Sequence, residues 1–139
     1  MVLVDTSIWV EASRRDGDPT AKLGLEGLLE EYEAALCGPV RLEFLGGARK
    51  PERQWLSSRL DCLPLIEVTA ADWETAVAHS WTLRDQGETV PWNDILIATI
   101  ALRVGMRVYA RDRHFEAAGR ILGLRLYEPG YCGRFNPKN

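Results

Sequence analysis

An α/β domain built on a central, mainly parallel sheet is what this sequence predicts, and three observations carry the prediction. Short apolar runs recur along the chain, at 2–4, 34–37, 65–68, 107–110 and 122–127. Between them lie longer stretches whose apolar residues return every three to four positions, the spacing of an amphipathic helix. Gly, Pro and Asp clusters punctuate the joins. Strands that alternate with helices pair in parallel, because the helix is the crossover that a parallel neighbour needs.

The chain of 139 residues and 15.6 kDa, 46% hydrophobic and 27% charged, suits one compact domain. We expect that domain over 1–129, with a loose tail over 130–139. No run approaches the roughly 18 uncharged residues that span a bilayer. Asp5 interrupts the only apolar start, so no signal peptide is expected and the expected location is the cytoplasm. Cys37, Cys62 and Cys132 show no metal-type spacing and are expected as free thiols. The net charge of −3 speaks against a polyanionic partner, yet 14 of the 17 basic residues are arginines, which suit bidentate phosphate contacts.

In order, the first strand at 2–4 runs directly into a helix carrying Ile8, Trp9 and Ala12. The loop 14–19 follows, then a helix over 20–32 weakened by Gly24 and Gly27. The run 34–37, closed by Gly38-Pro39, reads as the second strand, and a helix from Val40 ends at Gly46-Gly47. Pro51 suits the first turn of a helix over 51–63. After the third strand at 65–68, Thr69 and Asp72 resemble a capping box opening a helix to about Arg84. Pro91 starts a helix to Val104 that is apolar nearly all round, hence buried on several sides, with Gly105 as its C-cap. The fourth strand is 107–110 and the fifth 122–127.

Four carboxylates fall where this topology converges. Asp5 follows strand one, Glu43 sits in the first helical turns after strand two, Asp94 lies in the first turn after Pro91, and Asp112 follows strand four. Right-handed crossovers bring strand-to-helix turns to one edge of a parallel sheet. Asp94 reaches that edge only by its place at a helix N-terminus. Each acid also has an ordinary reading: Asp5 as an N-cap, Asp94 as a favourable helix-dipole charge, Asp112 as a surface ion pair between two arginines. Glu43, between Leu42 and Phe44, has the weakest such alternative.

Carboxylates gathered closely raise one another's pKa unless a cation joins them. An oxygen-rich site suits Mg²⁺ or Mn²⁺, which would lower the pKa of water and offset charge on a phosphate in an in-line displacement. With the four acids set aside, 16 acids face 17 bases, and the acidic balance no longer argues against nucleic acid.

With these positions assembled, the sequence resembles the PIN-domain family and, within it, VapC-like toxins of toxin–antitoxin pairs. The matching pieces are Leu3-Val4-Asp5-Thr6-Ser7-Ile8-Trp9, Leu42-Glu43-Phe44-Leu45-Gly46-Gly47, the run from Pro91 through Asp94 to Ala98, and Ala110-Arg111-Asp112-Arg113-His114-Phe115. The resemblance implies a Rossmann-like sheet of order 3-2-1-4-5 and Mg²⁺- or Mn²⁺-dependent endoribonuclease activity. It implies Asp5, Glu43, Asp94 and Asp112 as the catalytic and metal-holding quartet, with Thr6 or Ser7 orienting Asp5 or a water. It also implies a homodimer and a cognate antitoxin, the complex binding operator DNA. One departure stands out: the family commonly places Thr or Ser two residues before the last acid, and this chain has Ala110.

Arg14, Arg15, Arg111 and Arg113 are candidate RNA phosphate contacts near the active edge. His114 reads more readily as a polar turn residue than as a proton shuttle, and His79 as structural. The five tryptophans read as helix-face core or interface residues. A haloacid-dehalogenase-like phosphatase would want a second Asp where Ser7 stands, and a response-regulator receiver would want a late lysine that is missing. The remaining alternative is an inactive PIN-like module that acts only by binding, for which Ala110 is the best support.

Overall fold

A computed structural model describes residues 1–138. Four strands, β1 (Val2–Val4), β2 (Ala34–Cys37), β3 (Leu65–Ile66) and β4 (Arg107–Tyr109), form a parallel sheet of order β3-β2-β1-β4. Val2 pairs with Ala34 on one side and Arg107 on the other, and Leu36 pairs with Leu65. Among the described residues seven α-helices surround it: α1 (Thr6–Ser13), α2 (Pro19–Glu30), α3 (Gly38–Gly46), α4 (Arg53–Leu60), α5 (Ala70–Asp85), α6 (Trp92–Val104) and α7 (His114–Leu122). Among the described residues no helix is long and apolar enough to cross a membrane.

The expected fifth strand is not there. Leu122 closes α7, Gly123 turns the chain at φ 76°, and the Leu124 N–H goes back to the Ala118 carbonyl. Only one parallel bridge remains, Val108 to Leu126, and Pro129 soon removes the next usable donor. The five-stranded order 3-2-1-4-5 is therefore corrected to four strands in order 3-2-1-4, with a single bridge beyond β4.

The β1 residues Val2, Leu3 and Val4 are fully buried, as the centre of a sheet covered on both faces requires. Residues Ile95 through Ala101 of α6 are buried without interruption, which explains why that helix carries no polar stripe. The Thr69–Asp72 capping box forms in full, and buried Asp72 also takes two hydrogen bonds from Arg103, which holds its carboxyl below the usual range.

Of the segment expected as a loose tail, residues 130–138 are packed, and Asn139 lies outside the described residues. A 3-10 turn at Tyr131–Gly133 lies on α2, where a Cβ on Gly27 would collide with the Gly133 carbonyl oxygen. Gly24 likewise makes room for the Tyr109 hydroxyl and Pro129. The two glycines that weaken α2 as a helix thus serve the close approach of the C-terminal segment. Arg107 fastens that segment by donating to the Asn136 and Lys138 carbonyls, and Phe135 stacks on Tyr127 with ring centroids 6.4 Å apart.

Candidate active site

Asp5 leaves β1 with extended backbone, φ −72° and ψ 156°, and its Oδ2 accepts from the Ser7 N–H at 3.0 Å and the Ser7 hydroxyl at 2.6 Å. It is the N-cap of α1, yet its carboxylate also faces a pocket. That pocket, about 330 Å³, is lined by Asp5, Glu43, Asp94 and Asp112 together with Thr6 and Ser7. Four acids more than a hundred positions apart in sequence at their extremes converge on it through β1, α3, α6 and the loop after β4.

Each acid is held differently. Glu43 Oε2 accepts from Thr6 Oγ1 at 2.9 Å and from Asn93 Nδ2 at 2.7 Å. The Thr6 hydroxyl therefore supports Glu43, while the Ser7 hydroxyl supports Asp5. Asp112 accepts from the His114 backbone N–H at 2.9 Å, the turn that starts α7. The His114 ring Nδ1 lies 3.0 Å from Asp94 Oδ2 and 2.8 Å from Asp112 Oδ1. Sequence reasoning missed Asn93 and set His114 aside as a polar turn residue. Their signal was adjacency to acids: Asn93 precedes Asp94, and His114 stands two places beyond Asp112.

The electrostatics follow from crowding. Burial pushes the Asp5 carboxyl above its usual value, against the lowering effect of the Ser7 bonds, and the Glu43 charge adds to the rise. Asp94 is pushed up to about 6, by burial first, then by the Asp5 charge, with His114 opposing. A set of acids in this condition is short of positive charge. Asp94, Asp112 and His114 offer one ligand atom each within 4.8 Å of one another, and this largely oxygen donor set fits a hard divalent cation such as Mg²⁺ or Mn²⁺.

The four candidate arginines separate. Arg111 lines the acid pocket, but its Nη1 lies 3.2 Å from Glu11 and 3.4 Å from Asp18. Arg14 and Arg15 border a neighbouring groove of about 790 Å³ that shares Glu43 with the acid pocket. Arg113 opens onto a recess of about 410 Å³ on the His114 side. Arg15 and Arg113 make no ion pair among the described residues, whereas Arg14 lies 3.8 Å from Glu11.

The PIN domain family model matches residues 2–121, which span every element that brings an acid to the pocket. The chain belongs to the PIN-domain family. Within it the chain is VapC-like: it is 38% identical over 130 residues to Ribonuclease VapC11 of Mycobacterium tuberculosis, covering 90% of this chain and 96% of that one. Ribonuclease VapC32 of the same species is 30% identical over 135 residues, covering 92% and 98%. Among solved structures, this PIN domain resembles the VapBC2 complex of Rickettsia felis bound to a promoter DNA fragment, with a TM-score of 0.70 and 24% identity over 91% of this chain and 98% of that one. FitAcB from Neisseria gonorrhoeae gives a TM-score of 0.67 at 20% identity, covering 92% and 97%. At those identities the two structures speak for the fold.

Proposed function

We propose that this PIN domain is a metal-dependent endoribonuclease, the toxin of a toxin–antitoxin pair, that hydrolyses RNA phosphodiester bonds. The convergence of Asp5, Glu43, Asp94 and Asp112 on one pocket carries the reading. The names of the VapC ribonucleases supply the substrate class, which geometry alone leaves open among phosphodiesters.

Asp5, Asp94, Asp112 and Glu43 would hold Mg²⁺ or Mn²⁺, with His114 within reach of the same place. The cation supplies Lewis acidity and offsets charge on the reacting phosphate. The chain's own residues do the rest: Ser7 fixes the rotamer of Asp5, and the His114 ring orients Asp94 and Asp112 against one another. Arg14, Arg15 and Arg113 flank the pocket where neighbouring RNA phosphates would lie, and Arg111, already paired, braces its wall. Ala110 supplies no hydroxyl, but the Ser7 hydroxyl reaches across to that strand end, accepting from the Arg111 N–H at 3.1 Å, which favours an active site over a binding-only module.

The same reading includes a cognate antitoxin, operator DNA bound by the toxin–antitoxin complex, and a homodimer. The kinship with VapC ribonucleases supports the antitoxin, and the fold shared with VapBC2, which is bound to a promoter DNA fragment, supports the operator. For the dimer, Trp73, Val77 and Trp81 of α5 and Trp92 of α6 form an exposed apolar face whose groove is lined by no charged residue, the composition of an interface core. Purified protein should cleave RNA only with Mg²⁺ or Mn²⁺ present, and Asp5→Asn or Asp94→Asn should abolish cleavage with the fold retained. Undiminished cleavage in both variants would defeat the mechanism.

A further inference from the structure

We infer that Asn93 is a positioning residue for Glu43: with Thr6 it clamps one carboxylate oxygen and so leaves the other as the ligand-facing atom. The inference rests on the metal-dependent reading of the site and adds to it a residue outside the acidic quartet.

Glu43 stands apart from its three companions. Asp5 and Asp94 are short side chains at helix starts and Asp112 is held by a turn, but Glu43 projects from the exposed side of α3 on a longer, more flexible stem. Among the described residues no Arg, Lys or His pairs with it. Its Oε2 instead receives two neutral donors, Thr6 Oγ1 at 2.9 Å and Asn93 Nδ2 at 2.7 Å, while Oε1 has no donor among the described residues. Neutral donors order a carboxylate without cancelling the charge that a cation must find there.

The donors are placed for that purpose. Thr6 adjoins Asp5 and Asn93 adjoins Asp94, so each donor moves with an acid of the quartet, and the clamp joins α1, α3 and α6. Asn is an indifferent residue inside a helix and is favoured where its side chain caps. In α6 the N-cap is Pro91, and the Asn93 amide goes to Glu43 across 50 positions of sequence. A carboxylate only accepts, so the amide nitrogen must be the atom that faces it. Aspartate at 93 would keep the shape and replace the donor with a like charge.

Mn²⁺ affinity, measured by calorimetry on the full chain without RNA, tests this apart from turnover. Asn93→Ala should weaken binding by about tenfold or more, in the range seen when partners of metal ligands are removed, with an unchanged melting temperature in metal-free buffer, and Asn93→Asp, which sets a like charge against Glu43, should lower that melting temperature. In a Glu43→Ala background, Asn93→Ala should have no further effect on affinity, because nothing remains to position. Wild-type affinity in Asn93→Ala, or an equal loss with and without Glu43, overturns the clamp while leaving the metal site standing. Failure of the wild-type protein to bind Mn²⁺ overturns the metal site itself and the clamp with it.

Discussion

The Ser7 hydroxyl accepts a hydrogen bond from the Arg111 N–H at 3.1 Å, tying the first turn of α1 to the loop after β4. The same hydroxyl donates to Asp5 at 2.6 Å. One small side chain thus stands between the first acid of the pocket and the loop that delivers the last one, on the strand end where Ala110 offers no hydroxyl. Ser7→Ala should leave the Asp5 carboxylate with only the backbone donor at 3.0 Å and reduce kcat by about tenfold to a hundredfold. Because both Ser7 bonds lower the Asp5 pKa, losing one should also raise it, so the acid limb of the pH–rate profile should move to higher pH. A kinetic comparison of Ser7→Ala with Ser7→Thr checks this, since Thr retains a hydroxyl and should keep most of the rate.

Asp94 makes the metal-free protein's stability depend on pH. Its folded-state pKa is raised from 3.8 to about 6, so the folded protein holds a proton that the unfolded chain releases sooner. The stabilisation from that proton is complete below about pH 4 and is lost as pH rises through about 6. At pH 7 the ionised, part-buried carboxylate costs on the order of 3 kcal/mol. Asp94→Asn should therefore be more stable than wild type at pH 7 without metal, with the advantage vanishing towards pH 4. Adding Mn²⁺ should stabilise wild type far more than the variant, since a ligand stabilises only the form that binds it. Thermal melts across pH, with and without Mn²⁺, report both effects.

The alternation of strand and helix was legible because burial writes itself into periodicity, as in Val2-Leu3-Val4 and in the uninterrupted apolar run of α6. The fifth strand failed for a reason periodicity does not record: Leu122, Leu124 and Leu126 look like strand residues, but the C-cap at Gly123 takes the first two out of the ladder. Gly24 and Gly27 looked like defects in α2 because their partners, Tyr109 and the 130–138 segment, lie far along the chain. In the site, Asp5, Glu43, Asp94 and Asp112 were legible from their places beside strand ends and helix starts. The Asn93 and Thr6 bonds to Glu43 were not, because hydrogen bonds across 50 and 37 positions leave no local trace, and the His114 ring's approach to Asp94 spans 20.

The tryptophan face predicts an oligomer. Trp73, Trp81 and Trp92 are 52%, 66% and 68% exposed, a concentration of apolar surface that a monomer seldom leaves in water. Trp81→Glu should convert the dimer to a monomer in light scattering without loss of helical circular dichroism, because the residue bears on no core contact. Trp55→Glu, at an equally exposed tryptophan bordering the groove beside Glu43, should leave the mass unchanged. A wild-type monomer at high concentration would end the proposal of a dimer.

The arginines predict an asymmetry in RNA binding. Arg111 already lies within 3.4 Å of both Glu11 and Asp18, so its charge is largely compensated before any phosphate arrives. Arg15 and Arg113 have no such partner among the described residues and border two separate recesses, one sharing Glu43 and the other lined by His114. Arg15→Ala and Arg113→Ala should each raise the KM for a short RNA several-fold with little change in kcat, the signature of lost uniform binding. Each should also flatten the salt dependence of binding by nearly one unit in log–log slope, as losing one phosphate contact does. Arg111→Ala should act otherwise: with the wall between Glu11 and Asp18 unbraced, kcat falls and the salt slope stays. Binding measured across a salt series with a catalytically silent Asp5→Asn background separates the two behaviours, and equal slopes for all three variants would remove Arg15 and Arg113 from the substrate path.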